Sequence, residues 1–123
     1  MRIRLRVGSE AIGGELFDSP AGRAVAEVLP LETSFNTWGD EFYLSVPMHP
    51  LPPEEGAGVE MQVGDIAYWP EGNALAIFFG PTPISPGAEP VAFSPVIRVG
   101  RFEGDPGAFR RSAGAPTIRI EPA

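Results

Sequence analysis

The residues in this sequence best equipped for chemistry are aromatic. Trp38, Tyr43, Tyr68, Trp69 and Phe79 combine flat apolar faces with indole and phenol donors, the makeup of a concave site for a peptide or a small organic molecule. Trp38 precedes Gly39 and Trp69 precedes Pro70, so both stand beside turn signals, where side chains reach a rim. The competing role for these rings is core and outer cover of the fold, and Phe79, wholly apolar, is the one that most favours the interior. Glu41 lies two residues before Tyr43, on the same face of any strand that holds both, where it supplies a polar edge to the aromatic group. Asp40 is adjacent to Glu41 and so faces the other way. The two carboxylates are therefore not a facing acid–base pair and read as solvated edge charges.

Other chemistries find little to work with. His49 is the single histidine and sits among prolines with no second histidine or cysteine to share a metal, so it reads as a surface residue. Cysteine is absent, which removes disulfides, thiolate nucleophiles and thiolate metal sites together. Ser34, Ser45, Ser85 and Ser94 lie in no nucleophile-elbow pattern. Glycine-rich phosphate loops are missing as well. No metal or cofactor is expected.

A formal net charge of -7 repels phosphate backbones and anionic membrane surfaces, so nucleic acid and membrane are poor partners. No apolar run approaches the roughly 18 residues of a membrane span. The opening Met-Arg-Ile-Arg-Leu-Arg-Val goes straight into alternation without the apolar stretch of a secretion signal, which predicts a cytoplasmic location.

The elements that must position the aromatic residues are mostly strands. At 123 residues the chain suits one domain, 1–123, with a single core. Ile3, Leu5 and Val7 alternate with Arg2, Arg4 and Arg6, the period of a half-buried antiparallel strand. Gly8-Ser9 turns the chain into a second strand, making an opening hairpin over 2–17. Asp18-Ser19-Pro20 starts a helix whose apolar residues Ala21, Ala24, Val25, Val28 and Leu29 share one face, with Arg23 and Glu27 paired on the other, and Pro30 ends it.

After an approach through Thr33 to Thr37, Glu41 to Val46 alternates as a strand. Residues 47–58 carry four prolines and read as a loop unable to join a ladder. Asp65 to Trp69 and Ala74 to Phe79 flank Pro70-Glu71-Gly72-Asn73 as a second hairpin. Residues 81–95 hold five prolines and read as another long loop. Val96 to Phe102 is then a strand, Asp105-Pro106 caps a short helix containing Phe109, and Thr117 to Glu121 is the last strand. About eight short strands, one main helix and one short helix predict a mainly β, closed antiparallel barrel, since closure removes exposed edges.

Several segments, in order, resemble the cyclophilin fold: Gly14-Glu15-Leu16-Phe17 before the helix, Glu41-Phe42-Tyr43-Leu44-Ser45-Val46-Pro47, Gly64-Asp65-Ile66-Ala67 through Phe78-Phe79, and Val99-Gly100-Arg101-Phe102-Glu103-Gly104. Asn36-Thr37-Trp38-Gly39-Asp40-Glu41, Gly64-Asp65-Ile66-Ala67-Tyr68-Trp69-Pro70 and Phe78-Phe79-Gly80-Pro81-Thr82-Pro83 are similar to a small prokaryotic cyclophilin-like family of unassigned function. Thr82, in the last of these segments, joins Trp38, Glu41, Tyr43, Tyr68, Trp69 and Phe79 as the candidate ligand-binding set.

The resemblance also implies what is missing. The position that holds the transition-state-stabilising arginine of prolyl isomerases reads Leu44, and the neighbouring histidine reads Tyr43. A binding module for a peptide or small organic ligand is therefore the leading expectation. One alternative is a peptidyl-prolyl isomerase drawing a relocated arginine from Arg98 or Arg101. Another is a structural or assembly subunit using the 81–95 loop as a contact.

Overall fold

The computed structural model describes residues 1–123 as ten strands and two helices. In chain order these are β1 (Arg2–Val7), β2 (Glu10–Leu16), α1 (Pro20–Glu27), β3 (Leu31–Thr33), β4 (Asn36–Thr37), β5 (Glu41–Ser45), β6 (Gly58–Glu60), β7 (Asp65–Trp69), β8 (Ala74–Phe78), β9 (Val91–Phe102), α2 (Gly107–Arg111) and β10 (Ile118–Pro122). Hydrogen-bonded neighbours run β3-β10-β1-β2-β9-β7-β8-β5-β4, all antiparallel, with β6 pairing β9 off this path.

The fold is mainly β, as expected, but the sheet is not a closed eight-stranded barrel. It has ten strands and two free ends, β3 and β4. Only Ser34 and Phe35 separate those ends along the chain, so the sheet curls until its edges are joined covalently rather than by a ladder. The reason is local. β3 and β4 have three and two residues, each paired on one side only, with β10 and β5, and between them Phe35 tilts onto Phe42 with ring centroids 4.3 Å apart.

Alternation decides the interior. Ile3, Leu5 and Val7 are fully buried, while Arg2, Arg4 and Arg6 are exposed. They join residues from β5, β7, β8, β9 and β10 in an interior cluster of 23 residues. In α1 the Ser19 side chain accepts from the Gly22 amide, and Pro20 opens the first turn. Ala21 and Val25 face the cluster, and Val28 already caps the end. Arg23 pairs with Asp18 at 2.7 Å rather than with the expected Glu27. α2 inserts Ala108 and Phe109 into the same cluster.

Both proline-rich segments hold more strand than their composition predicts. Gly58 begins β6, and β9 starts at Val91 rather than Val96. Pro95 is tolerated inside β9 because it is exposed and because β6 meets this stretch only at Gly58↔Val96 and Glu60↔Val91. The first half of β9 thus leaves the main ladder and lies over the outer face of β7 and β8. There Met61, Ala67, Ala76, Phe78, Ala92 and Val96 form a second, smaller apolar cluster. No helix is long and apolar enough to cross a membrane.

Candidate functional site

The overhang of β9 creates a cavity of about 210 Å³ on the outer face of the sheet. Strand parity selects its walls. On β5, Phe42 and Leu44 point into the core, which leaves Glu41 and Tyr43 to line the cavity with Ala76 of β8 and Ala92, Ser94 and Val96 of β9. Ala76 and Ala92 are small, and that is why space remains between the sheet and the overhang.

Three further rings close the site. The β4–β5 turn is held by the Trp38 amide donating to the Glu41 carbonyl at 2.9 Å, so Trp38 stands beside Glu41. Gly39 makes the turn with φ +59°, where a side chain would also strike Pro83. Trp69, at the end of β7, donates its indole Nε1 to Ser94 Oγ, and its ring lies so close to Gly72 that any Cβ there would collide with it. Phe93 stands edge-on to both tryptophans, 5.9 Å from Trp38 and 6.5 Å from Trp69. It is 71% exposed, a large apolar ring presented to solvent beside a cavity.

Glu41 is the one charged group in this lining. Its residue is only 8% exposed, and it is not the solvated edge charge its sequence setting predicts. Burial pushes the carboxyl up to about 7, and no arginine or hydrogen-bond donor opposes that rise. Asp40, by contrast, accepts from Arg110 at 2.9 Å.

Four of the seven residues singled out from the sequence, Trp38, Glu41, Tyr43 and Trp69, line the cavity. The other three lie elsewhere. Tyr68 is fully buried in the interior, where its hydroxyl donates to Asn73 Oδ1 at 2.6 Å and accepts from the Leu51 amide at 3.1 Å, pinning the loop after β5. Phe79 stacks on Phe109 at 5.5 Å in the core. Thr82 is buried, bonded to Ser85 and to the Val91 carbonyl, and shapes the loop before β9.

Parity alone separates Tyr68 from Trp69, because Tyr68 shares its face with the core residue Ile66. The residues that sequence reasoning missed are Ala76, Ala92, Phe93, Ser94 and Val96. The signal for the β9 members was Ala92, Ser94 and Val96 at alternate positions, hidden by the prolines around them.

Neither arginine offered for a relocated isomerase site reaches the cavity. Arg98 sits 3.7 Å from Asp65, Arg101 lies exposed along Gly64, and no cationic side chain lines the pocket. Leu44, at the position of the isomerase arginine, is 1% exposed and faces the interior.

The family model described as Cyclophilin-like matches residues 1–121. The chain belongs to the cyclophilin-like family. The solution structure of the hypothetical protein AF2241 from Archaeoglobus fulgidus is similar to this cyclophilin-like domain at 33% identity and a TM-score of 0.81, covering 100% of this chain and 95% of that one. The structure of McbB in complex with tryptophan is similar at 14% identity and a TM-score of 0.70, a likeness of fold. It covers 98% of this chain and 44% of that one. Among curated proteins no match is found.

Proposed function

We propose that this cyclophilin-like domain is a binding module for a small organic ligand, or for a single side chain of a peptide, held in the aromatic cavity on the outer face of β5, β8 and β9. The observation that carries the reading is Phe93, a ring 71% exposed yet arranged against two tryptophans around open space. Exposed aromatic surface costs solvation, and grouped around a cavity it is the usual signature of a binding site. A cavity of about 210 Å³ is somewhat larger than the roughly 150 Å³ that holds benzene, which suits one or two rings. McbB, which shares this fold over 44% of its chain, is in complex with tryptophan, a ligand of comparable size.

Both tryptophans of the chain line the cavity, so tryptophan fluorescence reports on it. A fragment library read by fluorescence and by amide NMR shifts is expected to perturb Trp38, Tyr43, Trp69 and Phe93 together. Phe93→Ala and Trp38→Ala are expected to lose that binding about tenfold or more while changing stability by less than about 1 kcal/mol, because half-exposed rings contribute to binding more than to stability. Perturbations spread evenly over the sheet, or a mutant several kcal/mol less stable, would rule the site out.

A prolyl isomerase needs a cation at the twisted amide, and none lines this cavity. A coupled assay on an X-Pro peptide is therefore expected to show the uncatalysed rate at high protein concentration; acceleration that saturates with peptide would reverse this.

A further inference from the structure

Resting on that binding reading, we infer that the cavity takes an organic ammonium ion, a protonated primary or secondary amine on a small aromatic or apolar body, whose N–H groups donate to the Glu41 carboxylate while its charge lies against the Trp38, Tyr43, Trp69 and Phe93 rings.

Glu41 is set apart by what it lacks. Other carboxylates of this chain have arginine partners: Asp18, Asp40, Asp65, Glu10, Glu103 and Glu121 each lie within 3.7 Å of a guanidinium. Glu41 is more buried than most of them and has neither a cation nor a donor, its ionised form being opposed by desolvation alone. A buried charge without a partner is costly, and here the open side of the carboxylate is the cavity itself. Whatever fills that space meets a carboxylate that accepts hydrogen bonds and repels anions. The only other ionisable side chain lining the cavity is Tyr43, so no competing protein cation stands in the way.

The rings specify the rest. Trp and Tyr faces attract cations through their quadrupoles, most strongly when water is excluded. Seven of the nine lining residues are hydrophobic, so a bare inorganic cation would lose its hydration for too few oxygens, whereas an amine on an apolar body fills the volume as well as the charge site. The overall charge of -7 raises the local concentration of such cations.

The test uses a matched pair, phenethylamine and 2-phenylethanol, titrated at pH 8 against tryptophan fluorescence in the full chain. The amine is expected to bind at least about tenfold more tightly than the alcohol. In Glu41→Gln the amine is expected to lose that advantage while the alcohol still binds. Calorimetry at pH 6 in two buffers of different ionisation heat is expected to show proton release when the amine binds to the wild type and none in the variant, which a purely structural glutamate would not produce. Equal affinity for the two probes, unchanged by Glu41→Gln, would overturn the ammonium assignment and leave the cavity reading standing. Silence of both probes at the tryptophans would remove both.

Discussion

Glu41→Gln is expected to stabilise the protein above neutral pH, by about 2 to 3 kcal/mol at pH 8 and by less than about 1 kcal/mol at pH 5. Burial raises the carboxyl from its ordinary 4.5 to about 7, and raising a pKa by one costs the ionised form about 1.4 kcal/mol relative to the protonated one. Between those two values the folded chain holds a proton that the unfolded chain has lost. The wild type therefore loses stability as pH rises through this window, and above about 7 the loss is complete. Glutamine fills the same space without a charge to desolvate, although its amide donors need partners and hold the gain below the full amount.

Glu103, Asp105 and Glu121 are held below their ordinary values by arginine and, for Asp105, by the Gly107 amide. Their contribution has the opposite sign and is lost at lower pH, outside the window. Urea denaturation of both chains at pH 5 and pH 8 measures the effect. A difference that does not grow with pH would mean that Glu41 is solvated rather than buried without a partner. A stabilising substitution at a cavity wall is also what a binding site predicts, since such sites carry charges that folding alone would not select.

Phe42→Ala is expected to be the most damaging single truncation near the site, costing about 3 to 5 kcal/mol. The ring is fully buried and packs against Phe35, Phe79 and Phe109 at centroid distances of 4.3, 4.9 and 5.7 Å. It is thus the hub through which the β4–β5 edge, the end of β8 and α2 share one core. Its loss takes a large part of a total stability of roughly 5 to 15 kcal/mol and is expected to lower the melting temperature by more than about 10 °C. Thermal denaturation checks it, and a change below about 1 kcal/mol would mean that the core can collapse around the gap. Phe93, far along the chain and mostly exposed, is expected to behave in the reverse way, so the pair separates what folds the domain from what the domain binds.

How much of this was legible depended on how local the determinant was. The β1–β2 hairpin, the Ser19 cap and the β7–β8 hairpin are written in neighbouring residues, where alternation, a capping oxygen and a Pro-Glu-Gly-Asn turn act over a few positions. The start of β9 was not, because Pro90 and Pro95 look like loop until it is known that the strand leaves the main ladder there and needs few donors. Glu41 illustrates the same limit at the site. Trp38 and Tyr43 stand near it in sequence, but the rest of the lining comes from Trp69, Ala76 and β9 residues between 92 and 96, distant in the chain. Tyr68 differs for another reason: its aromatic character suits a pocket, but its parity with Ile66 assigns it to the interior. Closure of the barrel was expected from the need to hide edges, and the chain met that need with a covalent strap of two residues.

That strap sets the mechanics of the domain. A fully laddered cylinder is stiff in every direction, because widening it anywhere breaks hydrogen bonds. Here the ring of hydrogen bonds is open between β3 and β4, and Ser34 and Phe35 carry the chain across the opening. Spreading it would pull Phe35 off Phe42, 4.3 Å away in the core, so side-chain packing rather than a ladder holds the seam shut. Trp38 is the first residue after β4, and its turn is fastened by the Asp40 amide donating to the Pro81 carbonyl at 3.0 Å and by Arg110 donating to the Asp40 carboxylate at 2.9 Å. Trp69 and Ser94 are tied to each other across β7 and β9, so the aromatic walls on both sides of the cavity are anchored although the cylinder itself is incomplete.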